Sequence, residues 1–67
     1  MKKVINIEGM SCNHCVGHVK EALEGINGVN VLDVNLDNKN AVVETEVENN
    51  ILKNAIEEEG YDVISIE

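Results

Sequence analysis

The side chains in this 67-residue chain that suit soft-metal or nucleophilic chemistry are crowded together. They are the thiols Cys12 and Cys15 and the imidazoles His14 and His18, and the chain has no other Cys or His. They stand in or just after the stretch Gly9-Met10-Ser11-Cys12-Asn13-His14-Cys15-Val16. A Cys-x-x-Cys pair supports two kinds of chemistry: ligation of a soft ion by thiolates, or thiol–disulfide exchange.

Ligand softness and ligand number narrow the first kind. Thiolates select Cu(I), Zn(II) and their heavier relatives over Mg, Ca or Mn. Structural zinc takes four ligands in a tetrahedron, whereas this stretch offers two thiols with two imidazoles nearby. Cu(I) accepts two thiolates in a near-linear arrangement, which leaves the flank of the ion open to a third thiolate from another protein. A site of that kind releases its metal as readily as it holds it.

The elements that must position these groups are read from periodicity. Lys3 to Glu8 alternates, with Ile5 and Ile7 on one face, and reads as a half-buried strand. Gly9 to Cys12 is a loop. From Asn13 to Glu24 the period becomes helical, with Cys15 or Val16, Val19, Ala22 or Leu23 and Ile26 on one stripe. Asn13 or Ser11 is the expected N-cap and Gly25 the expected left-handed C-cap. Both thiols are therefore expected at a strand-to-helix junction. There the unpaired N–H groups and the positive end of the helix dipole favour thiolate.

Val29 to Leu36 is a second strand, with Leu32, Val34 and Leu36 expected on one face. Asp37-Asn38-Lys39-Asn40 is dense in turn formers and closes a hairpin onto a third strand, Asn40 to about Glu46, with Ala41, Val43 and Thr45 inward. A second helical stripe runs through Val47, Ile51, Leu52, Ala55 and Ile56 and stops at Gly60. Tyr61 to Ile66 is a last strand whose Val-Ile-Ser-Ile run does not settle which face is buried. The order βαββαβ predicts an α+β ferredoxin-like sandwich, two helices on one face of a four-stranded antiparallel sheet, forming a single domain over residues 1–67.

Composition excludes several partners. Thirteen Asp and Glu against five Lys give a net charge of −8, which argues against nucleic acid and anionic membranes, since both require a basic footprint. No apolar run has the length of a membrane span. The first residues meet the polar Asn6 too early for an export signal, so a cytoplasmic protein with reduced thiols is expected.

With these elements in place, Gly-Met-Ser-Cys-Asn-His-Cys-Val at the end of the first strand resembles the heavy-metal-associated domain family. Within it, the chain is most similar to the bacterial cytosolic copper chaperones of the CopZ type. The resemblance extends to Gly28-Val29, Ala41-Val42-Val43 and Gly60-Tyr61. It implies a Cu(I) carrier that binds copper through Cys12 and Cys15 and passes it by ligand exchange to a partner. It also implies that Met10 packs under the loop rather than ligating, and that Tyr61 stands close to the metal loop. Ser11 occupies a position where zinc- or cadmium-tuned relatives carry Asp, which supports copper.

His14 is expected to face solvent, with third ligand or modulator as its alternative role, and His18 is expected at the surface. Docking is expected through Ser11, Asn13, Val16 and Lys20. The expected partners are the metal-binding domain of a copper-transporting P-type ATPase or a copper-responsive repressor. The protein is expected to be a monomer, with a copper-bridged dimer as an alternative. Lys20 beside Glu21 and Glu24 departs from the lysine-rich docking face of many chaperones. That leaves an excised ATPase domain as an alternative, although Met1 at the start and the end directly after the last strand favour a free carrier. A thiol–disulfide enzyme of the thioredoxin kind normally has prolines near its cysteines and about a hundred residues, and this chain has no proline. No catalytic residue, and no enzyme activity, is expected.

Overall fold

A computed structural model describes residues 1–10 and 13–67. Six elements follow in order: β1 (Lys2–Glu8), α1 (Asn13–Glu24), β2 (Val29–Asn35), β3 (Asn40–Thr45), α2 (Asn49–Glu58) and β4 (Asp62–Ile66). The strands form one sheet in the order β2-β3-β1-β4, every neighbouring pair antiparallel. This is the ferredoxin-like arrangement expected from the sequence. β1 sits in the interior of the sheet, so the loop leaving its end is carried by one of the two best-anchored strands.

The core is the meeting of the expected stripes, with two corrections in the second helix: Val47 precedes α2 and Ile51, turned away from the core, is exposed. Ile5 and Ile7 of β1, Ala41 and Val43 of β3, Val19 and Leu23 of α1, and Leu52 and Ile56 of α2 are fully buried, together with Met10. The period of two in the strands and of 3.6 in the helices places these side chains in one layer between sheet and helices. The opposite sheet face carries Glu8, Asp33 and Glu44 exposed, with Asn6 and Asn35 half-buried.

The edge strands depart from simple alternation. In β2 the register moves from Val31↔Val43 to Asp33↔Val42, so Leu32 is an extra, bulged residue. Val29 and Val31 face the core before it, and Val34 and Leu36 after it. The expectation that Leu32 shares the inner face with Val34 and Leu36 is therefore corrected: the bulge turns Leu32 outward, 51% exposed. β4 repeats the device. Asn6↔Ser65 is followed by Ile7↔Val63, so Ile64 is the extra residue and is exposed, while Val63 and Ile66 pack on the core.

The expected helix caps are also revised. Asn13 is already inside α1 and so is not its cap, and the alternative, Ser11, lies outside the described residues. Gly25 is not left-handed. Its N–H donates to the Glu21 carbonyl at 3.0 Å, and the Ile26 N–H to that of Leu23 at 3.1 Å, so the chain winds on until Ile26 reaches the core. The reversal into β2 comes at Gly28, whose φ is +90°. At the hairpin, the Asn38 N–H donates to Asn35 Oδ1 at 2.9 Å and Lys39 takes the left-handed conformation, φ 54°.

Candidate metal centre

The strand-to-helix junction is built on Gly9, Met10 and the first turn of α1. Gly9 follows the end of β1 with φ +95°, a conformation that side chains rarely adopt. This turn sends Met10 inward, where it is fully buried against the core. Met10 thus fixes the loop from below, and a flexible thioether is well suited to filling the irregular space where a strand turns into a helix.

Ser11 and Cys12, expected as a docking residue and a ligand, lie outside the described residues. Cys15 is the third residue of α1. It is half-buried and packs against the core cluster. Its place in the first turn puts its sulfur near the helix N-terminus, where the unpaired backbone N–H groups stabilise negative charge. Asn13, His14, His18 and Lys20 are exposed on the same helix, and Val16 is half-buried. Among the described residues no three His, Cys, Asp or Glu side chains gather into a metal-holding group.

Tyr61 arrives at this junction from the other end of the chain. It follows α2 immediately before β4, is half-buried and packs on the core. A Cβ built on Gly9 would lie 3.8 Å from Tyr61 Cδ1, so the ring lies alongside the loop. Its hydroxyl lies 3.3 Å from His18 Nδ1. This His18 contact has no signal in the sequence, because the partners are 43 residues apart and only the packing of α1 beside β4's entry brings them together.

A second neighbourhood missed from sequence lies beside Val16 and Lys20. These two line a shallow groove of about 250 Å³ with Val31, Leu32, Asp33 and Val34. The bulge brings Leu32 there, so an apolar strip of β2 lies beside Val16 and Lys20.

The heavy-metal-associated domain family matches residues 4–62. The chain belongs to that family. It is 44% identical over 66 residues to the copper chaperone CopZ of Staphylococcus aureus, covering 94% of this chain and 97% of that protein. Its fold superposes on a CopZ metallochaperone with a TM-score of 0.89 and 43% identity, covering 96% of this chain and 100% of the other. A copper binding domain from HMA7, a P-type ATPase, gives a TM-score of 0.85 at 30% identity, covering 100% of this chain and 99% of that one. No helix of the described residues is long and apolar enough to cross a membrane.

Proposed function

We propose that this chain is a cytoplasmic copper(I) carrier that holds its cargo between the thiolates of Cys12 and Cys15. The observation that carries the reading is the 44% identity, over nearly the whole of both chains, to a protein named as a copper chaperone. The placement of Cys15 in the first turn of α1 supports it on physical grounds, since that position favours thiolate and so a soft ion. Two-coordinate binding leaves room for an incoming thiolate, so transfer proceeds through a three-coordinate intermediate in which copper stays Cu(I) and no substrate is turned over. Met10 supports the loop from the core and Tyr61 flanks it, neither as a ligand. Residues 1–67 act as one domain.

The recipient is a protein with a similar thiol pair: the metal-binding domain of a copper-transporting P-type ATPase or a copper-responsive repressor. The net charge of −8 calls for a recipient whose docking face is apolar or basic. Ser11, Asn13, Val16 and Lys20, neighbours of the thiols in sequence, are assigned to this chain's side of the contact.

The test is an anaerobic Cu(I) titration against a strong chelator, repeated with Zn(II) and with Cys12→Ser and Cys15→Ser. Tight, Cu(I)-selective binding lost in both variants is expected. Weak binding that survives loss of either cysteine would overturn the reading, and rapid reduction of a model disulfide by the metal-free chain would point instead to redox chemistry.

A further inference from the structure

The two histidines of α1 are left over by a two-thiolate copper site, yet their arrangement is itself that of a metal clamp. His14 and His18 are four residues apart in one uninterrupted helix, Asn13–Glu24. That spacing stacks two side chains on one helix face with Cβ atoms about 5–6 Å apart, a separation that lets two imidazoles converge on one ion. Both residues are exposed, so an ion reaches them without any movement of the core.

The contact to Tyr61 adds a second, independent observation. Metal-bound histidines almost always have the other ring nitrogen held by an oxygen, which fixes the tautomer and aims the ligating nitrogen. In His18 that partner is already present, because Nδ1 lies 3.3 Å from the Tyr61 hydroxyl. A phenol oxygen accepts as well as donates. Where it accepts, the hydrogen sits on Nδ1 and the Nε2 lone pair is left open to an ion. Glu21, exposed and one turn beyond His18, adds negative charge along the same helix.

We propose that His14 and His18 form a second metal site on α1, with Tyr61 orienting His18, that takes a divalent, imidazole-preferring ion such as Ni(II), Zn(II) or Cu(II). Imidazole suits these ions, whereas the soft thiolate pair suits Cu(I), so the two sites sort metals by ligand chemistry. Two protein ligands leave the remaining coordination positions to water. The site is consequently weaker than a closed structural one and exchanges its ion freely. Its ligands are distinct from Cys12 and Cys15, so it stands or falls separately from the copper reading.

The test uses the tag-free Cys12→Ser/Cys15→Ser double variant titrated with Ni(II), followed by calorimetry and by tyrosine emission. Tyr61 is the chain's only tyrosine and the chain has no tryptophan, so quenching of that emission reports an ion close to the His18–Tyr61 contact. One-to-one binding with saturable quenching is expected, lost in His14→Ala and in His18→Ala. Both are exposed positions, so the fold is expected to survive, which circular dichroism checks. Tyr61→Phe, read by calorimetry, is expected to weaken Ni(II) binding about tenfold, the scale at which an orienting partner acts. Absence of binding in the thiol-free chain, or binding that persists in either histidine variant, would overturn the proposal.

Discussion

The Thr45 hydroxyl donates to the Gly28 carbonyl at 2.8 Å, and the same oxygen accepts the Val47 N–H at 2.9 Å. Thr45 is 3% exposed, while Gly28 is exposed and Val47 half-buried. One side chain on β3 thus ties the turn that opens β2 to the segment that leads into α2. Thr45→Val keeps the shape and removes the oxygen, losing two hydrogen bonds at about 0.5–1.5 kcal/mol each. A lower urea midpoint with unchanged slope is expected. An unchanged midpoint would show that the hydroxyl is dispensable.

Gly17 and Gly9 respond oppositely to alanine. Gly17 lies inside α1, and a Cβ built there meets nothing within 4 Å. Gly17→Ala is expected to stabilise the chain by about 0.5–1 kcal/mol through helix propensity alone. Gly9 has room for a Cβ but stands at φ +95°, so Gly9→Ala is expected to cost about 1–3 kcal/mol in backbone strain. Thermal denaturation of the two variants side by side checks both signs.

Leu32 shows where the sequence stops being legible. The elements and the inner faces of β1 and β3 follow from local alternation, because Ile5, Ile7, Ala41, Val43 and Thr45 keep an unbroken period of two. β2 and β4 each contain one extra residue, and neither bulge is marked by glycine or proline, so periodicity alone assigns Leu32 to the wrong face. The Cys-x-x-Cys spacing is visible in the sequence because it is local, whereas the Tyr61–His18 contact depends on tertiary packing. The bulge gives a direct check: Leu52→Ala, fully buried, is expected to cost about 2–5 kcal/mol. Leu32→Ala, at a half-exposed position, is expected to stay within about 1 kcal/mol. Equal losses in chemical denaturation would place Leu32 in the core.

The terminal ammonium of Met1 lies 2.8 Å from Glu44 and 3.1 Å from Glu46. Hydrogen bonds to these carboxylates, Glu44 first, raise its pKa above the usual 8.0 of an α-amino group. A raised folded-state pKa means that the contribution is fully present below the unfolded value. It is lost as pH rises through the folded one. The pair is fully exposed, so the effect is small and weakened by salt. The urea midpoint of the free-amine chain is expected to fall toward that of its Nα-acetylated form above pH 8. A constant gap between the two forms across that range would show that the ammonium is not involved.

Met10 separates packing from ligation, since its sulfur lies next to a thiol loop but its side chain is fully buried in the core. Leucine is close to methionine in volume, and such swaps usually cost less than about 1.5 kcal/mol. Alanine leaves a cavity and is expected to cost about 2–5 kcal/mol. If the thioether is only core, Met10→Leu leaves Cu(I) affinity unchanged while Met10→Ala lowers stability sharply. If it is a ligand, both variants lose affinity alike, whatever their stability. Cu(I) titration of Met10→Leu under anaerobic conditions, alongside its denaturation midpoint, therefore decides the role. The expected result is retained affinity, because a side chain packed among Ile7, Val19 and the other core residues holds the loop in place from beneath.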